Sequence, residues 1–176
     1  MIQKTPSDLR QAIRNVPDFP KTGIQFKDIT PVLADPTLFS ASIDLLVDRH
    51  QPGDVDIVVG IDARGFIFAS AVALRLKAGF VPVRKKGKLP FDTHEQSYDL
   101  EYGSNTIAIH TDAVKKGSRV LLIDDLLATG GTAEAAALLL QKVGATILEA
   151  AFLIELKELN GRSRIKHCPV RSLIVY

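Results

Sequence analysis

An apolar run, Val120-Leu121-Leu122-Ile123, leads into two adjacent carboxylates, Asp124 and Asp125, and then into Leu126-Leu127-Ala128-Thr129-Gly130-Gly131-Thr132, which opens an alanine- and leucine-rich stretch. These residue types in this order suit anion chemistry. Gly130 and Gly131 let backbone N–H groups approach an anion closely, and a helix beginning near Thr132 aims its positive end at it. Thr129 and Thr132 add hydroxyl donors that match phosphate oxygens. The two aspartates repel phosphate, so they suit what is attached to it: sugar hydroxyls or a phosphate-bound Mg²⁺. A phosphorylated sugar is the ligand these residues describe. A Walker P-loop would end in Gly-Lys-Ser/Thr, and no lysine follows Gly131; G-x-G-x-x-G is absent as well. An ordinary turn between strand and helix accounts for Gly130-Gly131, but not for paired acids followed by threonines.

A second run, Gly60-Ile61-Asp62-Ala63-Arg64-Gly65-Phe66, repeats the pattern of a strand end before a helix. Arg64 at a helix start opposes the dipole, and an anionic ligand resolves that conflict; the alternative is a solvated arginine beside a turn. Two anion sites on neighbouring strands fit one ligand that carries a monophosphate and a diphosphate. The third feature is Arg84-Lys85-Lys86-Gly87-Lys88-Leu89-Pro90, opening a polar stretch without periodicity through about Ser97. Such a run is either a solvated charged face or a basic lid over a reaction that must exclude water. Residues 84–97 are expected to form the lid.

The elements that must hold these groups follow from hydrophobic spacing. Thr5-Pro6-Ser7-Asp8 predicts a capped helix running to about Asn15, where Val16-Pro17 breaks it. Asp35-Pro36 starts a second helix with Phe39, Ile43, Leu46 and Val47 on one face. Strands are expected at 55–61, 79–83, 106–110, 120–123 and 146–154, with an edge strand at 173–175. Helices at 66–76 and 132–143 fall between them. Strands alternating with crossover helices predict an α/β fold, with one mainly parallel sheet flanked by helices.

The 176 residues support a single domain, with a small N-terminal segment at 1–34. Charge is nearly balanced, 22 basic against 20 acidic, so no nucleic-acid or membrane partner is expected. Apolar stretches fall short of a bilayer span, and the first residues lack the apolar core of a signal peptide. The one cysteine, Cys168, excludes an internal disulfide framework and fits the cytoplasm. His50, His94, His110 and His167 are scattered without zinc-like spacing, so no metal cage is expected in the protein.

The run from Val120 to Thr132 resembles the phosphoribosyl-diphosphate (PRPP) signature of the type I phosphoribosyltransferases. Asp18-Phe19-Pro20-Lys21-Thr22-Gly23-Ile24-Gln25-Phe26-Lys27-Asp28-Ile29-Thr30-Pro31 resembles the N-terminal hood segment of the adenine-specific branch. Tyr98-Asp99-Leu100-Glu101-Tyr102-Gly103 is similar to that branch's acid-bearing segment, and Phe152 through Arg162 to its C-terminal region. With the Ile61-to-Phe66 loop, these matches span most of the chain in the family's order. On them the chain is identified as a member of the adenine phosphoribosyltransferase family.

The resemblance implies that Ala128, Thr129, Gly130, Gly131 and Thr132 wrap the 5′-phosphate while Asp124 and Asp125 address the ribose. It implies that Ala63, Arg64, Arg84 and Lys88 hold pyrophosphate, and that Mg²⁺ arrives on PRPP. Phe26 would stack on adenine and Leu159 would close its other face. Backbone groups of Gln25 and Lys27 would read the purine edge, and Glu101 would manage the proton near the imidazole nitrogens. The implied reaction joins adenine to PRPP, giving AMP and pyrophosphate, in a homodimer. The chain departs from many relatives at Phe91-Asp92-Thr93, where they carry a small residue, and this bears on the lid's shape. Two rival readings are a 6-oxopurine phosphoribosyltransferase and a PRPP-sensing transcription regulator. The hood and C-terminal matches speak against the first, and the low net charge and lack of spare length against the second.

Overall fold

The structure, a computed structural model, describes residues 4–99 and 104–176. It divides into two compact units, one ending at Leu45 and one spanning Leu46–Tyr176. The segment expected at 1–34 therefore belongs to a unit that continues through Leu45. In that unit Thr5 caps α1 (Pro6–Ala12) through a reciprocal pair of bonds with Asp8. The helix stops short of Asn15, because Arg14–Pro17 is β1 and pairs antiparallel with β2 (Gln25–Asp28). Ile13 turns to extended backbone, proline at position 17 keeps Val16 extended, and the residues between find partners across the hairpin. The helix α2 (Thr30–Ala34) follows. Then comes α3 (Pro36–Val47), whose first turn is capped by the Asp35 carboxylate accepting from the Thr37 and Leu38 N–H groups.

The larger unit is built on a seven-stranded sheet. Its elements are β3 (Ile57–Ile61), α4 (Gly65–Leu76), β4 (Gly79–Lys85), β5 (Thr93–Asp99), β6 (Ser104–His110), β7 (Arg119–Leu127), α5 (Gly131–Lys142), β8 (Thr146–Glu155) and β9 (Val170–Val175). The strand order is β5-β6-β4-β3-β7-β8-β9. From β4 through β9 the neighbours in that order are parallel, and only the β5-β6 arm runs antiparallel. Near-continuous apolar runs such as Val120–Ile123 are what a strand covered on both faces requires. Val59, Ile61, Leu122 and Phe152 face α5, whose Ala133, Ala136 and Ala137 let it lie close. On the other face Gly60 admits α4, since an added Cβ there would stand 2.7 Å from that of Ala69. The core is therefore two layers of side chains on either side of β3, β7 and β8. Among the described residues no helix is long and apolar enough to cross a membrane.

The expected lid loop is the largest departure. Arg84 and Lys85 complete β4, and Thr93–Ser97 lie in β5, paired along their length with β6. The strand was hidden because it forms the sheet's edge, where polar side chains on both faces cost little and discourage edge-to-edge association. Several other elements are longer than expected. The strand β7 runs through both aspartates to Leu127, β9 begins at Val170, and β4 extends two residues past Val83.

At the amino-terminal edge of β8 and β9 sits a buried ion pair. Arg171, 8% exposed, donates to Glu149, 5% exposed, at 2.8 Å, and also to Asp48 at 2.9 Å and the Leu46 carbonyl at 2.6 Å. Arg171→Leu leaves the Glu149 charge short of a buried partner and is expected to lower stability by roughly 3–5 kcal/mol. Denaturant melts check the loss, and KM values measured below the melting range should stay unchanged, since the pair stands away from the carboxyl edge. An unshifted midpoint would contradict the account.

Candidate active site

The aspartates sit where β7 meets the loops of its neighbour β3, at the carboxyl edge, the usual ligand edge of an open α/β sheet. Asp125 is 6% exposed and its Oδ2 lies 2.7 Å from Arg64 Nε. Asp124 accepts from the Asp125 N–H at 2.9 Å, and its carboxyl is packed beneath the first residue of α4. Burial, reinforced by the Asp125 charge, holds the Asp124 carboxyl well above the usual carboxylate range. Burial also raises Asp125, against the pull of Arg64. Arg64, expected at the start of α4, is thus already engaged by an acid that softens its conflict with the helix dipole.

Ala128, Thr129, Gly130, Gly131 and Thr132 line a cavity of about 90 Å³, with Asp124 at its wall. That is well above the roughly 10–15 Å³ a single water needs, so a small anion has room. Gly130 adopts φ +82°, a conformation that turns the chain into α5 and that a side chain would resist. The first N–H groups of α5 therefore face the cavity without intrahelical partners. The Thr132 hydroxyl donates to Tyr98 Oη at 3.0 Å, so the β5 arm touches the loop directly. Tyr98 had stood out in the sequence only as part of a family motif.

Of the remaining expected residues, Asp62 and Ala63 form the turn after β3, joined by a cis peptide. Arg84 lies beside Asp62 at 3.0 Å and donates to the Lys88 carbonyl at 3.1 Å, tying the end of β4 to the basic turn. Lys88 is exposed. Phe91 is also exposed and meets His110 edge to face. In the smaller unit Phe26 is half-buried and packs edge-on against Phe19, with Gln25 and Lys27 flanking it on β2. Leu159, in the larger unit, ends a short 3₁₀ turn, Lys157–Leu159, and is 44% exposed. Glu101 lies outside the described residues. Among the described residues no three His, Cys, Asp or Glu side chains group as a metal cage.

Sequence reasoning passed over three groups that shape the site. Gly65 has no Cβ to displace Asp124, Gly161 stands against the Ala128–Gly130 backbone, and Arg164 pairs with Glu134 in the first turn of α5. The only local signal for the first two was a glycine beside an arginine. Their partners are distant in the chain.

A parallel sheet with paired acids and an anion-sized turn at one carboxyl edge defines a class, and the phosphoribosyl transferase domain matches residues 28–175. An adenine phosphoribosyltransferase of Parvibaculum lavamentivorans is 55% identical over 166 residues, 94% of this chain and 95% of its own. The crystal structure of adenine phosphoribosyltransferase from Rhodothermus marinus superposes with a TM-score of 0.92 at 52% identity, covering 97% of this chain and 98% of that one. The enzyme of Saccharomyces cerevisiae, complexed with an imino-altritol bisphosphate and adenine, gives 0.88 at 39% identity, covering 96% and 97%. The chain belongs to the adenine phosphoribosyltransferase family, and it is an enzyme of the glycosyl-transferring class.

Proposed function

We propose that this chain transfers the 5-phosphoribosyl group of PRPP to adenine, giving AMP and pyrophosphate in purine salvage. The observation that carries the reading is the cavity of Ala128–Thr132 at the start of α5, with Asp124 and Asp125 beside it. The C1′–pyrophosphate bond breaks, the bond from adenine N9 to C1′ forms, and the N9 proton passes toward Glu101. Positive charge develops on the ribose ring, where Asp124 and Asp125 stabilise it. Negative charge grows on pyrophosphate, where Ala63, Arg64, Arg84 and Lys88 hold it. Phe26 supplies an aromatic face for adenine and Leu159 an apolar cover, while backbone groups of Gln25 and Lys27 read the purine edge.

Mg²⁺ fits this site as a passenger on PRPP, because two hard carboxylates, Asp124 and Asp125, stand beside the cavity. When bound it neutralises phosphate charge. Chelation should therefore abolish turnover. The turn at 86–92 and the β5 arm serve as the lid, excluding water from the reacting sugar. We also propose a cytoplasmic homodimer. The helix α4 leaves Leu74 83% exposed, with Ile67 on the same side, an apolar face that a second copy covers. Sedimentation as a lone 19.2 kDa species would remove the dimer.

Product formation from PRPP with adenine, hypoxanthine, guanine and xanthine in parallel tests the substrate. AMP from adenine alone is expected. Turnover only with an oxopurine would keep the PRPP site and discard the adenine pocket. Binding of PRPP without turnover on any base would move the protein to the regulators.

A further inference from the structure

The strand β8 ends at Glu155, and the chain then folds through two 3₁₀ turns, Lys157–Leu159 and Gly161–Arg164. Glu155 is 6% exposed yet fully engaged. Its carboxylate accepts from Arg162 Nε at 3.0 Å, Arg162 Nη2 at 2.5 Å and the Ser172 hydroxyl at 2.6 Å. Arg162 Nη1 donates to the Val170 carbonyl at 2.6 Å, so one guanidinium ties the turn to the ends of β8 and β9. The pairing draws the Glu155 carboxyl below its ordinary range. The segment between these partners, residues 156–161, is thereby closed into a loop of fixed shape.

Inside that loop Gly161 is buried against the Ala128–Gly130 backbone that lines the anion cavity. A Cβ added to Gly161 would overlap the Ala128 carbonyl oxygen and come within 2.7 Å of the Gly130 nitrogen. Reciprocally, a Cβ on Gly130 would overlap the Gly161 carbonyl oxygen and stand 2.9 Å from the Gly161 Cα. Every atom met is backbone, so nothing can swing aside. Two bare backbones are in contact, one from the phosphate-type loop and one from the turn that carries Leu159.

We propose that Gly161 and Arg162 are positioning residues that join the base cover and the 5′-phosphate loop into one piece. Arg162 fixes the turn on Glu155, and Gly161 backs the Ala128–Gly130 backbone so that its N–H groups keep their aim. Leu159 lies two residues before Gly161 on the same clamped turn, so its place over the base and the shape of the phosphate loop are set together. This inference rests on the function proposed above and assigns residues that touch neither substrate.

Steady-state kinetics of Gly161→Ala, Arg162→Ala and Arg162→Lys, each with a thermal melt, test it against Thr129→Ala. In Gly161→Ala the KM for PRPP and the KM for adenine are expected to rise together, kcat falling less, with kcat/KM for PRPP down roughly 10²-fold. Arg162→Ala should show the same paired rise, and Arg162→Lys should recover part of it by keeping one charged bond to Glu155. Thr129→Ala, which removes only a hydroxyl beside the cavity and leaves the backbone contact with Gly161, should raise the KM for PRPP alone. A lowered melting temperature with both KM values unchanged in the glycine variant would reduce the turn to a structural role and overturn the proposal. So would a rise for PRPP with adenine unaffected. If the glycine variant fails to fold, the two arginine variants decide by the same criteria. Wild-type enzyme inactive with adenine would instead defeat the function itself, which keeps the two failures apart.

Discussion

Asp124→Asn combined with Asp125→Asn is expected to lower turnover on the order of 10³-fold while the protein stays folded. The fall follows from removing both negative charges beside a ribose that becomes positive as pyrophosphate leaves. Each single variant should fall nearly as far as the pair, since groups that act as a unit are not additive. Stability should move the other way for Asp124. Its carboxyl is raised in the folded state by burial and by Asp125, so the native form holds the proton to higher pH than the unfolded chain does. The stability this group contributes is full below the unfolded carboxyl value and is lost as pH rises through the folded one. At neutral pH the cost of keeping this carboxyl buried therefore opposes folding, and asparagine relieves it. Melts of Asp124→Asn and wild type at pH 5 and pH 7.5 should show the variant's advantage growing toward the higher pH. Near-normal turnover in the double variant would remove the aspartates from the mechanism. A melt advantage that shrinks with pH would refute the electrostatic account.

Gly65→Ala is the second large effect. The added methyl would stand 2.7 Å from Asp124 Oδ1, 3.1 Å from the Ile123 carbonyl oxygen and 3.2 Å from the Asp124 Cα. Two of these three atoms are backbone of a central strand, so the start of α4 or the Asp124 side chain must shift. Misplacing a reacting group by about an ångström costs on the order of 10²-fold in kcat/KM. Overpacking should add a stability loss of roughly 1–3 kcal/mol. Kinetics and denaturant melts on the same preparation separate the two. Wild-type kinetics with only a lowered midpoint would show that Asp124 tolerates the displacement.

The central site was legible because its signals are local. The apolar run before Asp124, the Gly130-Gly131 turn and the alanine-rich helix occupy one continuous stretch, and the structure keeps them in that order as β7, turn and α5. What escaped depends on partners far along the chain. Nothing near Arg64 announces Asp125, and nothing near Gly161 announces the Gly130 backbone that requires it to lack a side chain. The strand β5 escaped for another reason. Its one neighbour is β6, and an edge strand with solvent along its open side has no need of apolar alternation. The short hairpin of β1 and β2 was likewise invisible, since four-residue strands carry too few side chains to show a period.

The Glu149 carboxylate, held by Arg171, and the aspartates stand apart along the same sheet. Along β7 and β8, Leu121 is level with Glu149 and Asp124 with Phe152, a separation of three residues, or roughly 10 Å. The amino-terminal part of β8 therefore helps to hold the strands in place, and the carboxyl edge of β7 is left to whatever the loops carry. For a protein engineer this makes the chain a chassis. Loops at the carboxyl edge are open to exchange for those of an enzyme with another base preference wherever the Gly161 backbone contact is kept, and the Arg171–Glu149 cluster would not feel the graft.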